Sequence, residues 1–424
     1  MRKLFLLFVL LTAALLSGCN KGGTNQNSVD LRALNAVVDS EPVDVLVDND
    51  VKFTAVAPNT ATSYSNFTSG TREVIIRSAT NQATLYDKQV QFTSDSRSTL
   101  LIYGHRSAMN TLLMPDDTTT PSSGKARVRF VGLSVDSGPV DVYLTQTSAL
   151  TGPAFIPGGQ PGVVTAAGEV TGGGYIITVT AAGTQDVLFQ SSTAFNFASG
   201  SNYTLSIVPS LGGKLVNAMV IEPGASGAIT VLNNPIARIK AANAIPDSTG
   251  LNFKTDGTVI LTAVPYTGVS SYVNAAGGSH NLQIEQSNVP GTTIASLTTT
   301  LTSARDYTLL ASGTLASPKL TLITDDNSPP TVGNVKIRFV NAVQGSAVDA
   351  LVNFASQAQN IASNSASPYF TIAANTNYTI TFTTPGGVNV IATLTGVQLD
   401  AGNIYSVYVF GTTSNAQAKL IRDR

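Results

Sequence analysis

Cysteine, histidine and tryptophan are almost absent from this sequence of 424 residues, which has one cysteine, two histidines and no tryptophan. Because the one cysteine is Cys19, the chain beyond it can form no intrachain disulfide, no zinc–thiolate site and no cysteine nucleophile. His105 and His280 are too few for a multi-histidine metal site. The sequence therefore argues against cysteine hydrolases and against most classes of zinc protein.

Charge is also scarce, since Asp, Glu, Lys and Arg together make up 12% of the residues. The 24 basic residues nearly balance the 25 acidic ones, and the balance becomes 22 to 25 when Arg2 and Lys3 are left out. A nucleic-acid-binding protein needs a concentrated basic surface, which this composition does not provide. We therefore expect no nucleic-acid partner.

Residues 1–18 have the features of a signal peptide. Two basic residues precede an apolar run of 13 residues, 4–16, which is shorter than the roughly 20 residues of a membrane-spanning helix. The run ends in Leu16, Ser17, Gly18 and Cys19, which resemble the lipobox of bacterial lipoproteins. The resemblance implies cleavage before Cys19 and attachment of lipid to its thiol. The alternative is an ordinary secretory signal followed by a chance cysteine.

A lipid on Cys19 is the expected membrane contact of the protein. The lipoprotein resemblance implies several acyl chains, which hold a protein on a membrane far better than one chain does. Residues 19–28 are then a flexible, lipid-bearing tether. Asn20, rather than aspartate, follows the cysteine, and the general sorting rule for lipoproteins associates this with the outer membrane.

The rest of the chain predicts an all-β fold. Polar uncharged residues alternate with Val, Ile, Leu, Phe and Tyr, as in strands with two different faces, and no long amphipathic helix is evident. One stretch recurs four times, beginning at residues 31, 127, 238 and 336. A repeat of this length predicts tandem copies of one module. The predicted modules are 29–117, 125–233, 235–326 and 334–424.

Each module is expected to be an immunoglobulin-like β-sandwich of about seven strands. Strand alternation places Ala126, Val128 and Phe130 in a core. The segment 405–411 is apolar on both faces, which predicts a central strand covered on both sides. In the second module, the Gly- and Pro-rich insertions at 151–164 and 171–174 are expected to be irregular surface loops.

Three polar positions recur in the repeat and are the candidate site residues. We expect the basic position on the outer face of a strand, paired with a carboxylate across the sheet rather than with an anionic ligand. We expect the acidic position to bond a backbone amide rather than to bind calcium or a glycan. The basic position is Arg32, Arg129, Lys240 or Arg338; the next is Asn35, Gly132, Asn243 or Asn341; the acidic one is Asp44, Asp141, Asn252 or Asp349.

The repeat resembles the DUF4397 domain, whose pattern is R-x-x-[NH]-A-x-x-D-x-x-x-V-D-V-Y-V. The first, second and fourth copies carry it best, while the third keeps residues 243–247 but loses Val-Asp-Val. The resemblance implies a β-sandwich and an extracytoplasmic location, with no established activity to transfer. Where the family commonly has histidine, this chain has Asn35 and its counterparts, so a chemical role of that histidine would be lost in every copy.

Paired aspartates in the linkers are the weak candidates for a metal site. Calcium clamped between modules would suit Asp116 with Asp117 and Asp325 with Asp326, since carboxylates are its usual ligands. The middle junction, at 233–240, offers no such pair. Prolines near the aspartates could stiffen the linkers without metal. We therefore expect no cofactor, with calcium as the alternative.

No catalytic constellation is apparent in the sequence. It contains no G-x-S-x-G, and its two histidines fall in different modules, where turn-like neighbours predict exposed loop positions. We therefore expect a noncatalytic lipid-anchored envelope protein whose modules serve as a spacer or as a multivalent binding or adhesion array. The alternatives are glycan or peptidoglycan binding by the loops of the second module, assembly of strand edges with another envelope protein, and a hydrolase.

Overall fold

A computed structural model describes residues 27–37, 40–210, 213–223 and 228–424 of the chain. Within these ranges the protein is built of 36 β-strands and one 3-10 turn, Pro385–Gly387. The predicted all-β class is therefore confirmed. None of the described residues belongs to a helix with the length and apolarity needed to cross a membrane. The strands form eight sheets, two in each quarter of the chain, so that each quarter is a sandwich-like module.

In module 1, the sheet order is β4-β1-β8-β9, with β5 also on β1, and the second sheet is β3-β2-β6-β7. The first strand runs parallel to β8, and all other pairings are antiparallel. The strands are β1 (Ser28–Asn35), β2 (Val43–Val47), β3 (Asp50–Val56), β4 (Thr60–Ala61), β5 (Ser65–Thr68), β6 (Gly70–Ser78), β7 (Thr84–Phe92), β8 (Ser96–His105) and β9 (Ala108–Pro115).

Module 2 repeats this plan with extra strands. Its sheets are β13-β10-β17-β18-β19 and β12-β11-β14-β15, with β16 also on β14. The strands are β10 (Lys125–Gly132), β11 (Val140–Thr145), β12 (Ile156–Gly159), β13 (Gly168–Thr171), β14 (Gly173–Ala181), β15 (Val187–Gln190), β16 (Phe195–Phe197), β17 (Asn202–Pro209), β18 (Val216–Ile221) and β19 (Ile229–Leu232).

Module 3 is the simplest, with sheets β23-β20-β26-β27 and β22-β21-β24-β25. Its strands are β20 (Ile236–Asn243), β21 (Leu251–Thr255), β22 (Thr258–Val264), β23 (Val273–Ala276), β24 (Gly278–Gln286), β25 (Thr293–Leu301), β26 (Asp306–Thr314) and β27 (Ser317–Asp325).

Module 4 has sheets β31-β28-β35-β36, with β32 also on β28, and β30-β29-β33-β34. Its strands are β28 (Asn334–Val343), β29 (Val348–Val352), β30 (Ala355–Ile361), β31 (Ser365–Ala366), β32 (Phe370–Ala373), β33 (Asn375–Thr383), β34 (Val390–Leu399), β35 (Ile404–Thr412) and β36 (Asn415–Arg422).

A separate hydrophobic core lies between the two sheets of each module. As the alternation predicts, Ala126, Val128 and Phe130 are fully buried in the core of module 2. The prediction for residues 405–411 is also confirmed. Val407 and Val409 of β35 face the core of module 4, while Tyr408 and Phe410 face a different cluster on the other side of the sheet.

That second cluster shows how the modules are arranged. In each module we name the sheet that contains the first strand the joining sheet. The outer faces of the joining sheets of modules 1 and 2 pack on each other through one cluster of buried apolar residues, and those of modules 3 and 4 pack through another. The chain therefore forms a first pair, modules 1 and 2, and a second pair, modules 3 and 4, each with an apolar seam between its two joining sheets.

Candidate functional site

The recurring basic residues lie beside these seams. Arg32, Lys240 and Arg338 each have 1% of their surface exposed, and Arg129 is half-buried. Their place on the outer face of a strand is as the alternation predicts, and for Arg32, Lys240 and Arg338 this face is closed to solvent. The partner module covers it, because the neighbouring outward positions on the same strands are apolar and pack into the seam.

At the junction of the second pair, Arg338 and Lys240 surround a buried carboxylate. The side chain of Asp325 is fully buried and accepts a hydrogen bond of 2.5 Å from Nη2 of Arg338. Tyr272 Oη and Thr308 Oγ1 also donate to Asp325, at 2.5 and 2.7 Å. Lys240 Nζ lies 3.9 Å from the same carboxylate. Every oxygen of this buried acid therefore has a donor, as a buried charge requires.

These contacts are reciprocal between the two modules. Arg338 of module 4 binds Asp325 at the end of the last strand of module 3, while Lys240 of module 3 forms an ion pair with Asp423 just after the last strand of module 4. Arg338 Nε also donates to Ser406 Oγ at 2.8 Å, and Ser406 Oγ donates to Asp423 at 2.5 Å. One connected network thus joins both joining sheets.

The network shifts the protonation equilibria of its members. Burial acts to raise the pKa of Asp325, but the charges of Arg338 and Lys240 outweigh it and hold that pKa below its ordinary value. Burial acts to lower the pKa of Arg338 and of Lys240, but neighbouring groups raise both pKa values: chiefly Asp325 for Arg338, and Tyr408 with Asp423 and Asp325 for Lys240. All three groups are therefore charged at neutral pH.

The junction of the first pair uses backbone carbonyls at the corresponding places. Arg129 Nη2 donates to the carbonyl of Pro115 at 2.6 Å, and its Nε donates to Thr204 Oγ1. Arg32 Nη2 donates to the carbonyl of Glu222 at 3.2 Å, and its Nε donates to Thr99 Oγ1. The reciprocity is the same as in the second pair, with less buried charge.

A second ion pair, found in the joining sheets of modules 1 and 3, has opposite polarity in these two modules. In module 1, Asp30 of β1 lies opposite Arg97 of β8, at 3.1 Å and with 37% of each side chain exposed. In module 3, Arg238 of β20 lies opposite Asp306 of β26, with two hydrogen bonds of 2.8 and 2.5 Å and side chains 8% and 1% exposed. At the same register, the first strand carries the acid of an exposed ion pair in module 1 and the base of a buried ion pair in module 3.

The recurring acidic position holds a bulge in the neighbouring strand. Each side chain accepts a hydrogen bond from the backbone amide of a residue with positive φ, at 2.6 to 2.9 Å. The acceptor and donor residues are Asp44 with Ala55, Asp141 with Gly158, Asn252 with Ala263 and Asp349 with Asn360. The four side chains lie in four separate modules and are not brought together.

The recurring asparagine joins the end of the first strand to the third strand of its module. Asn35, Asn243 and Asn341 each accept a hydrogen bond from the backbone amide two residues later and donate one to a backbone carbonyl 20 or 21 residues later. All three are fully buried. In module 2 the position is Gly132, against which Pro161 packs.

Each aspartate of the linker pairs has a donor from the protein itself. Asp117 pairs with Arg127 at 2.8 Å and Asp326 with Lys336 at 2.6 Å, at the same spacing of ten residues. Asp116 accepts a hydrogen bond from Tyr64 Oη at 2.6 Å, and Asp325 is the centre of the network above. Among the described residues, no group of three or more acidic, histidine or cysteine side chains is placed to hold a metal ion.

The sequence-based expectations about loops are wrong in part. The insertion 151–164 is irregular outside β12, but β12 pairs with β11, Ile156 enters the core and Gly162 packs against Tyr103 of module 1. Residues 171–174 are not an irregular loop, because all but one of them belong to β13 or β14. The histidines are not loop residues either. His105 is the last residue of β8, and His280 lies within β24, where its ring bonds Asp256 at 2.7 Å.

A cavity opens beside the junction of the second pair. It has a volume of about 570 Å³ and is lined by residues of modules 2, 3 and 4. Sequence reasoning missed it, since the lining comes from five separate segments. The predicted lipobox residues Leu16, Ser17, Gly18 and Cys19 lie outside the described residues.

Comparison with known families identifies the repeat. The family described as "Domain of unknown function (DUF4397)" matches residues 29–143 and 237–346, which is more than half of the chain. Each match starts with the first module of a pair and continues into the second. The chain belongs to the DUF4397 family, as the sequence motif predicts.

Solved structures give only distant likenesses. "The Bacillus anthracis TIE protein" matches with 11% identity and a TM-score of 0.16 over 88% of this chain and 68% of that one. A "multi-modular glycogen-degrading pneumococcal virulence factor SpuA" matches with 9% identity and a TM-score of 0.16 over 87% of this chain and 38% of that one. Neither likeness supports an inference at these values. No curated protein matches the chain.

Proposed function

We propose that this DUF4397 protein is a noncatalytic, lipid-anchored protein of the cell envelope whose modules form a spacer or a multivalent binding and adhesion array. The observation that supports this most is the use of the recurring polar residues. In every module they hold a bulge, a strand end or the partner module. The recurring residues therefore stabilise each β-sandwich and its packing against the partner module.

Pairing also supports a spacer. Modules joined by flexible linkers alone would reorient freely, whereas a shared apolar seam resists independent motion. Both seams are fully buried at their centres, as Leu101 and Leu310 show. Four modules would then act as two stiff units, and repeated units raise avidity for a partner without any single strong site.

The proposed address is the outer membrane, through lipid on Cys19. Binding of glycan or peptidoglycan by the loops of module 2 is the alternative function. Part of its candidate segment, 151–164, packs into the core of module 2 and against module 1, which favours the spacer over that alternative.

Protease shaving of intact cells tests this proposal, with Cys19→Ala as the control for lipidation. We expect the wild-type protein in the membrane fraction and the Cys19→Ala protein outside it. Loss of the full-length wild-type band from unbroken cells would place the modules on the surface, and protection until the outer membrane is opened would place them in the periplasm. Equal membrane association of the two proteins would contradict a lipid anchor.

A further inference from the structure

We infer that the cavity beside the second junction is a binding site for a sugar-sized ligand that carries an oxyanion group, either phosphate or carboxylate. A volume of about 570 Å³ lies within the range of small-molecule sites, roughly 300–1,000 Å³. Among the described residues, the cavity is lined by five cationic side chains and two side-chain carboxylates, Asp186 and Asp423. The cationic side chains are Lys214, Arg238, Lys240, Arg422 and Arg424.

The partners of these cations show which charges are available to a ligand. Arg238 is neutralised by two hydrogen bonds to Asp306, and Lys240 by its ion pair with Asp423. Lys214 has no hydrogen bond or ion pair with any other residue in the part of the chain that the structure describes. Arg422 donates its Nε to a main-chain oxygen of Arg424, the last residue of the sequence, at 3.2 Å. Lys214 is therefore a lining cation with no partner among the described residues.

Arg424 adds a further positive charge, which is half-buried. Its Nη1 donates to the carbonyl of Asn327 at 3.0 Å, and its Nη2 donates to the carbonyl of Asp136. Carbonyl oxygens satisfy the N–H groups but leave the net charge in place. The nearby carboxylate of Asp136 is shared with His105, at 2.9 Å. Burial lowers the pKa of Arg424, which is the response of a cation that lacks full compensation.

The matching position in the first pair shows that this charge is not required by the fold. There, two adjoining cavities of about 310 and 530 Å³ lie beside β1 and the end of β18. Arg97 is the one cation among the described residues that line them. Their acidic lining residues are Asp30, Asp95, Asp116, Asp117 and Glu222. The same architecture thus carries an acidic cavity in one pair and a basic one in the other.

The geometry also indicates the size and kind of ligand. Lys214 comes from module 2, while Arg422 and Arg424 come from module 4, so an anion between them would contact both modules. Ser270, Ser271 and Tyr272 of module 3 supply a polar wall with an aromatic ring. Cations that approach one oxyanion from several sides and a polar wall for hydroxyl groups suit a phosphorylated sugar or a sugar acid.

Calorimetric titration of the full chain with glucose 6-phosphate, glucuronate, inorganic phosphate and glucose tests the inference. We expect both charged sugars to bind, inorganic phosphate to compete with them, and glucose not to bind. Lys214→Glu and Arg422→Glu each replace an attractive charge by a repulsive one, so each should weaken binding by roughly tenfold or more. Both residues are at least partly exposed, and far-UV circular dichroism with thermal melts checks that the variants stay folded.

Lys319→Glu is the matched control, because Lys319 is an exposed lysine of the same module pair that does not line the cavity. It should leave the affinity for glucose 6-phosphate and glucuronate unchanged. The inference is overturned if the charged sugars bind no better than glucose. It is also overturned if Lys319→Glu weakens binding as much as Lys214→Glu does, since the effect would then be general screening rather than a site. Binding of phosphate without either charged sugar would contradict the proposed ligand size.

Discussion

The junctions of the two pairs place corresponding strands against each other but bury different side chains. In the first pair the seam is made of long aliphatic residues, among them Leu34, Leu101 and Met219. In the second pair several corresponding positions are alanines, such as Ala242 and Ala342, and the space is filled by two aromatic rings of β35. Those rings, Tyr408 and Phe410, stack with centroids 5.6 Å apart.

The polar contacts of the two junctions differ as well as their apolar seams. In the first pair Arg129 donates to a carbonyl and a hydroxyl group, whereas the second pair encloses Asp325 among cations. One docking geometry therefore tolerates two chemical solutions. The two junctions are expected to respond differently to mutation, because removing one member of a buried ion pair leaves an uncompensated charge, while truncating an apolar side chain leaves a cavity.

Removing the central carboxylate of the second junction should have the largest effect. Asp325→Ala leaves Arg338 and Lys240 buried without their shared partner, and we expect a loss of about 3–5 kcal/mol in the free energy of unfolding. Asp116→Ala, the matched change in the first junction, removes one hydrogen bond from Tyr64 and should cost about 1 kcal/mol. Urea unfolding followed by circular dichroism measures both.

Equal losses of unfolding free energy in Asp325→Ala and Asp116→Ala would contradict the proposed difference between the junctions. They would show that removing the acid exposes no more unpaired buried charge in the second junction than in the first. An additional variant, Asp325→Ala with Arg338→Met, separates charge from packing. It removes the cation as well as the acid, and it should recover part of the stability lost in Asp325→Ala.

Truncating the seam of the first junction should have the next largest effect. Leu101 is fully buried between the two modules, and Leu101→Ala should cost about 3 kcal/mol, within the range for buried leucines. Val51→Ala, at a side chain that is 45% exposed, is the control and should cost less than 1 kcal/mol. A loss below 1 kcal/mol for Leu101→Ala in urea unfolding would mean that the seam of the first pair is not closed in solution.

The second junction should also be sensitive to acid through Asp325. Because the pKa of Asp325 is below 3.8 in the folded protein, its ionised form contributes stability above pH 3.8 that is lost as the pH falls through the folded pKa. Arg338 and Lys240, whose pKa values are raised, stay protonated throughout this range. The gap in unfolding free energy between wild type and Asp325→Asn should therefore narrow below about pH 4.

Urea unfolding of both proteins at several pH values between 7 and 3 measures this gap. Other carboxylates with lowered pKa values, such as Asp117 and Glu285, are common to both proteins and cancel in the difference. A gap that stays constant or widens on acidification would show that the carboxylate of Asp325 is not the group that holds the cations.

Strand alternation predicted which faces are apolar but not what covers them. Val128 and Phe130 could be assigned to a core because they alternate with arginines, and both faces of β35 could be recognised as covered. The cover on the second face is another module, and period-2 patterns carry no information about that partner. A usable signal was present, since the basic residue is followed on the same face by Leu34 in β1 and by Val131 in β10.

Among the site residues, contacts within a module could be predicted from the sequence, and contacts between modules could not. The backbone amide bonded by Asp44, Asn252 and Asp349 lies 11 residues further on in each case, a local relation that a repeat alignment can suggest. The partner of Lys240 is 183 residues away, at Asp423. Which distant carboxylate meets a given cation depends on how modules dock, and four similar modules allow several pairings. The charged junctions and the cavity therefore required the structure.

The smallest effect is expected at the exposed ion pair of the first module. Asp30→Asn removes the charge that faces Arg97, but each side chain is 37% exposed, so water replaces most of the interaction and the loss should be about 0.5 kcal/mol. The reversed pair in module 3, Arg238 with Asp306, has no such access to water. Urea unfolding at low and at high salt checks this contrast, because an exposed pair is screened by salt and a buried one is not. A loss above 2 kcal/mol for Asp30→Asn, insensitive to salt, would mean that the first junction encloses its charges as tightly as the second.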